Sequence, residues 1–88
     1  MIIKANLVQT GWNRLDDDFI IYLPKNERYF VLNETAAEVW QLLVTSEKSF
    51  KEIVNHFVSH YDCDKEEIQS DILDLIRELE TSQLVEVI

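Results

Sequence analysis

The sequence predicts an α+β fold: a three-stranded antiparallel sheet followed by three helices, in the layout of a winged helix-turn-helix. Three observations carry this. The first third holds short blocks of β-branched and aromatic residues separated by turn chemistry. From residue 33 onward apolar residues recur at helical spacing. A capping residue stands at the start of each helical stretch.

Residues 2–8 are the first and weakest strand candidate, followed by a turn region at Thr10-Gly11-Trp12-Asn13. Phe19-Ile20-Ile21-Tyr22-Leu23 is a stronger one, bounded by Asp16-Asp17-Asp18 before and Pro24-Lys25-Asn26 after. Arg28-Tyr29-Phe30-Val31-Leu32 follows at hairpin spacing across a short polar link. In that last strand Tyr29 and Val31 point to one face, Phe30 and Leu32 to the other. Both faces are apolar. The strand is therefore either covered on both sides or an edge that accepts a strand from a partner.

Asn33 caps a helix over residues 34–44, with Glu34 placed well for the helix dipole. Ser49-Phe50-Lys51-Glu52 is a capping box. Behind it Phe50, Ile53, Val54, Phe57, Val58 and Tyr61 make one apolar stripe. Asp64-Lys65-Glu66-Glu67 is a looser start signal for a third helix, and Leu84-Val85-Glu86-Val87-Ile88 is a short extended end. On the third helix, at about 100° per residue, Ile72, Leu75 and Leu79 lie within about 40° of Ile68. Ile76 falls near about 80° and Leu73 near about 140°, while Glu67, Asp71, Asp74 and Glu78 fill the other flank. The apolar surface thus spills past the core stripe on one side only. That is either deeper burial or the wall of a groove.

The 88 residues fit a single domain spanning 1–88, with a modest core. With 17 acidic residues against 8 basic ones, the formal charge of −9 makes nucleic acid an unsuitable partner and a basic peptide or basic protein groove a suitable one. The acid concentrates after residue 61, where only Lys65 and Arg77 oppose it. Cys63 is the sole cysteine, which fits a reducing cytoplasm. The amino terminus lacks the pattern of a signal peptide, and no stretch approaches the length of a membrane span, so no membrane partner is expected.

Signals for catalysis are missing: no Gly-rich loop, paired CxxC or HExxH occurs. No catalytic residue and no cofactor is therefore expected. His56 and His60 stand four apart, with Cys63 following, at a spacing that suits zinc. Both histidines flank the apolar stripe, and no clear fourth ligand completes a tetrahedral set. Surface histidines and no metal site are the expectation. Trp40, among Ala36, Ala37, Leu43 and Val44, reads as core; Trp12 reads either as a lid on the sheet or as a contact residue.

The run Tyr29-Phe30-Val31-Leu32-Asn33-Glu34-Thr35-Ala36-Ala37-Glu38-Val39-Trp40-Gln41-Leu42-Leu43 resembles the strand-to-helix signature of PqqD-like proteins. Asp71-Ile72-Leu73-Asp74-Leu75-Ile76-Arg77-Glu78-Leu79, followed by Leu84-Val85, is similar to that family's closing helix and tail. The resemblance covers residues 19–85. It implies a compact, non-catalytic domain that binds the leader of a ribosomally made precursor peptide. The bound leader would be presented to a separate protease, cyclase or radical enzyme. By position it places backbone pairing on Arg28, Tyr29, Phe30, Val31 and Leu32, and the helix wall on Gln69, Ile72, Leu73, Ile76 and Arg77. Where the family often has a Gly turn after the first helix, Thr45-Ser46-Glu47-Lys48 stands here. Where it often has Gly before the final Leu-Val, Ser82-Gln83 stands. These departures point to a stand-alone relative, of the kind serving lasso-peptide or radical-enzyme peptide pathways. An open edge strand also permits a homodimer. The rival reading is a winged-helix DNA-binding regulator, which the layout suits but the scarcity of Lys and Arg on the third helix does not.

Overall fold

The computed structural model describes residues 1–7, 10–15, 18–23 and 27–88. Six strands and three helices follow one another in these stretches. They are β1 (Ile2–Ala5), β2 (Gly11–Leu15), β3 (Asp18–Leu23), β4 (Arg28–Leu32), α1 (Glu34–Thr45), β5 (Lys48–Ser49), α2 (Phe50–His60), α3 (Lys65–Thr81) and β6 (Val85–Val87). The α+β class, the antiparallel pairing and the three helices match expectation.

The sheet differs in composition. The expected three strands divide between two three-stranded sheets, ordered β2-β3-β4 and β5-β1-β6. β1 does not join β3. It lies between the short β5 and the carboxy-terminal β6, with Ile3 opposite Val87 and Ala5 opposite Val85. Its place beside β3 is taken by β2, which covers Gly11, Trp12 and Asn13, residues whose chemistry reads as a turn. Pairing with the apolar β3 outweighs that local preference. The expected turn at residues 24–26 lies outside the described residues.

Caps set the helix starts as the sequence indicates. Asn33 Oδ1 accepts from the Ala36 amide at 2.8 Å. Ser49 and Glu52 form the reciprocal box, with Glu52 N–H donating to Ser49 Oγ at 3.1 Å and Ser49 N–H to Glu52 Oε1 at 2.9 Å. These bonds, the one from the Ser49 amide foremost, hold the Glu52 carboxyl below the usual carboxylate range. Asp64 Oδ1 accepts from the Glu66 amide at 2.9 Å and opens α3.

One core joins all the layers. Ile3 and Ala5 of β1, Phe19, Ile21 and Leu23 of β3, Trp40 and Leu43 of α1, Ile53 and Phe57 of α2, and Ile72, Ile76 and Leu79 of α3 are buried together. Trp40 is core, as expected. Trp12 is a half-exposed lid over it, its ring edge-on to Trp40 at 5.9 Å between centroids. Past α3 the chain turns through Gln83, whose φ of 66° lies in the left-handed region. The Leu84 amide donates to Leu79 O and the Gln83 amide to Glu80 O, both at 2.9 Å. This nested pair satisfies the Leu79 and Glu80 carbonyls near the end of α3 and seats Leu84 in the core.

Candidate functional site

β4 has a strand partner on one side only among the described residues, so its other side is a free edge. Which of its backbone groups face that edge follows from register. The Arg14 amide donates to Asn13 Oδ1 and not to β3, so Arg14 and Phe19 are a non-hydrogen-bonded pair, and Leu15 with Asp18 and Asn13 with Ile20 are the hydrogen-bonded ones. Backbone direction alternates along a strand. Asp18, Ile20 and Tyr22 therefore turn their N–H and C=O groups toward β2, and Phe19, Ile21 and Leu23 turn theirs toward β4. The β3–β4 register sets Leu32, Phe30 and Arg28 opposite those three. Tyr29 and Val31 are left with outward N–H and C=O groups at the free edge.

The opposite edge of the sheet, β2, is not equivalent. There the same alternation turns Trp12 and Arg14 outward, and the Arg14 amide is already taken by Asn13 Oδ1 at 2.9 Å. An edge with its donor occupied is a poorer acceptor for a new strand. Among the described residues no hydrogen bond engages Tyr29 or Val31 on the outer side of β4.

Beside β4 runs a groove of about 380 Å³ between the strand and α3. Phe30, Leu32 and Leu84 contribute to its strand and tail side, and Leu75, Glu78 and Leu79 to its helix side. It continues past Leu75 and Glu78 into a second hollow of about 320 Å³, where Ile68, Asp71 and Asp74 are added. The groove thus mixes apolar side chains with Asn33, Ser82 and Glu78, and Asp71 and Asp74 rim its helical side. Volumes of this order suit a few side chains of a bound segment. At its other end the Arg28 guanidinium lies 5.8 Å from the centre of the Phe30 ring.

Arg28, Tyr29, Phe30, Val31 and Leu32 lie together along this edge. The five residues expected on the helix side are divided between core and surface. Ile72 and Ile76 are 0% and 1% exposed and belong to the core. Gln69 and Leu73 are half-buried and Arg77 is exposed, but none of the three lines the groove. Leu75, expected at the centre of the core stripe, is instead half-buried at the groove wall. The reason is rotational. The buried arc of α3 is centred on Ile72, Ile76 and Leu79, so the side of the helix that meets β4 is the boundary between that arc and the acidic flank. Leu75 marks the boundary. An apolar residue next to an acidic row was the available signal, and the broader apolar flank around Leu73 hid it.

A second concave region surrounds Glu38 of α1. Its carboxylate accepts from the Tyr61 hydroxyl and lies 2.8 Å from His56 Nε2. The bond to Glu38 pushes the Tyr61 hydroxyl above its usual range. His60 Nδ1 is 2.7 Å from the His56 carbonyl, and Cys63 Sγ is 3.6 Å from that of Phe57. These polar atoms satisfy one another and brace α1 against α2. Among the described residues no group of three or more His, Cys, Asp and Glu side chains is arranged to hold a metal ion.

Comparison with known proteins bears on this edge-and-groove arrangement. Residues 18–85 match the family model described as coenzyme PQQ synthesis protein D (PqqD). The chain belongs to the PqqD family. This PqqD-family chain is similar in structure to TbiB1, solved in complex with the TbiA(beta) leader peptide. The TM-score is 0.84 at 25% identity, covering 97% of this chain and 96% of that one. It also shares its fold with a lasso peptide synthetase B1 complexed with the leader peptide, with a TM-score of 0.82 at 19% identity, covering 97% and 98%. No curated protein matches the sequence.

Proposed function

We propose that this chain is a non-catalytic recognition module. It binds the leader region of a ribosomally synthesised precursor peptide by strand addition to β4 and presents the peptide to a separate modifying enzyme or protease. The observation that carries this reading is the β4 edge, unpaired among the described residues, with Tyr29 and Val31 offering two donors and two acceptors beside a groove that presents Phe30, Leu75 and Leu79. Backbone pairing gives affinity without reading sequence, and side chains entering the groove over Phe30, Leu75 and Leu79 give selectivity. A backbone hydrogen bond is worth about 0.5–1.5 kcal/mol net, so four of them alone reach only weak binding, and groove burial supplies the rest. Kinship with the PqqD family and likeness to the leader-bound TbiB1 support the same reading.

The partner enzyme, a protease, cyclase or radical enzyme, acts on the core of a precursor held nearby at raised effective concentration. The module itself needs no cofactor. The net charge of −9 and the acidic rim of α3 weigh against duplex DNA, which a regulator of this layout would grip with basic side chains. The free thiol of Cys63 fits a cytoplasmic setting, and among the described residues no helix is long and apolar enough to cross a membrane. The β4 edge that takes a peptide also fits a second copy, so a homodimer would compete with leader binding.

Val31→Pro tests the mechanism. It removes an outward N–H while leaving the β3–β4 ladder its bonds, because Val31 points away from β3. Synthetic leader segments from short reading frames beside the gene are titrated calorimetrically. The parent should bind one of them without changing its mass, and Val31→Pro should bind at least tenfold more weakly with an unaltered circular dichroism spectrum. Equal affinity in a folded Val31→Pro protein would remove strand addition.

A further inference from the structure

The sheet carries an apolar surface that the fold does not use. Tyr29, Val31 and Tyr22 are 68%, 59% and 44% exposed. Register places them on one face: Tyr22 is opposite Tyr29, and the half-buried Ile20 is opposite Val31. Gly11, opposite Tyr22, leaves open space on the next strand. This is the face turned away from the core, since Phe19, Ile21 and Leu23 fill the other. Solvated sheet faces ordinarily alternate to polar residues, and an aromatic, β-branched patch beside an open edge marks a contact surface.

We propose that this outer face is a second reading surface for the peptide added at β4, so that the strand is recognised on both of its faces. The inference rests on the strand-addition reading above and specifies its ligand. Side chains directly opposite each other across paired strands lie on the same face, with Cβ atoms about 4.5–5.5 Å apart. A peptide residue opposite Phe30 therefore enters the groove toward Leu75 and Leu79. Its two neighbours, opposite Tyr29 and Val31, lie on the outer face against those side chains, with Tyr22 and Ile20 one strand further in. This holds for either strand direction. The middle side chain meets Phe30, Leu75 and Leu79 and its two neighbours meet Tyr29 and Val31, so the preferred ligand has three consecutive apolar residues. Its first and third are aromatic or β-branched, and its middle one fits the groove. A strand read by the groove alone would alternate apolar with polar residues.

The probe is a displayed library of random 16-residue peptides, selected separately on the parent, on Val31→Pro and on the double variant Tyr29→Thr/Val31→Thr. Threonine keeps β-propensity and the outward backbone groups while making the outer face more polar. The parent should enrich peptides with three adjacent apolar positions. The double variant, with unchanged thermal unfolding, should bind the best of them about five- to tenfold more weakly, as the loss of two cross-strand pairs implies. It should also tolerate polar residues at the first and third positions but not at the middle one. Enrichment at alternate positions only, with equal affinity for the double variant, would overturn two-faced reading and leave strand addition standing. Failure of any peptide to enrich, or enriched peptides that bind Val31→Pro as well as the parent, would overturn both.

Discussion

Gln83 holds a left-handed backbone conformation that costs a side-chain-bearing residue roughly 1–2 kcal/mol. The turn after α3 needs that conformation to make its two nested hydrogen bonds and bury Leu84. Asn6 Nδ2 donates to the Gln83 carbonyl at 3.1 Å, a bond that does not depend on the side chain. Gln83→Gly should therefore stabilise the fold by up to about 1 kcal/mol, the gain being trimmed by the entropy glycine adds to the unfolded chain. For a domain of this size, thermal unfolding should rise by about 4–8 °C per kcal/mol. A lowered midpoint would mean that the glutamine side chain contributes something its backbone angle does not reveal. On α3 the residue-scale test is a contrast. Ile72→Ala should destabilise by about 2–5 kcal/mol, since the side chain is wholly buried. Leu75→Ala should unfold less readily than Ile72→Ala yet weaken leader binding by about tenfold. Leu73→Ala should leave that affinity alone. Denaturant unfolding and leader titration on the three variants check it, and an affinity loss at Leu73 rather than Leu75 would return the wall to the other flank. A helical wheel shows which residues share an arc. It does not show which edge of the arc meets which neighbour, because that depends on how α3 is rotated against β4.

Helices were legible as elements because each carries its own local code: Asn33, the Ser49–Glu52 box and Asp64 start them, and 3.6-residue periodicity runs them. Strands were legible only where composition was strong. β3 and β4 announce themselves, whereas β2 hides Trp12 between Gly11 and Asn13. β1 gives no hint that it pairs with β6, at the far end of the sequence. Strand pairing is a non-local choice that residue order alone does not make. The edge itself was legible in part. Two apolar faces on residues 28–32 signalled a strand that either lies covered or awaits a partner. The register that turns Tyr29 and Val31 outward is set by pairing with β3, which no local pattern in residues 28–32 encodes. The unequal edges make a further element-scale point. β2 is closed at Arg14 by the Asn13 side chain, so among the described residues β4 offers a new strand more free donors than β2 does.

At the scale of the whole molecule, charge and shape act together. The chain carries −9, and Asp71, Asp74 and Glu78 border the groove. A leader with Lys or Arg near the segment that enters the groove should be steered in. Its association rate should fall several-fold between about 0.05 M and 0.5 M salt, as the screening length shrinks from well above to well below about 10 Å. Dissociation should change less. Surface plasmon resonance at several salt concentrations checks this, and a salt-independent association rate for a basic leader would show that the acidic rim lies outside the encounter path. The sheet of β5, β1 and β6 has another consequence. Ile2 and Ile88 exchange backbone hydrogen bonds at 3.1 and 2.8 Å, so the first and last strands leave the domain side by side, in the sheet to which β4 does not belong. A chain whose ends meet is a cassette. It can be spliced into a surface loop of another protein, hung from either end by a tether, or closed into a ring by a few bridging residues. None of these joins would need to run along β4.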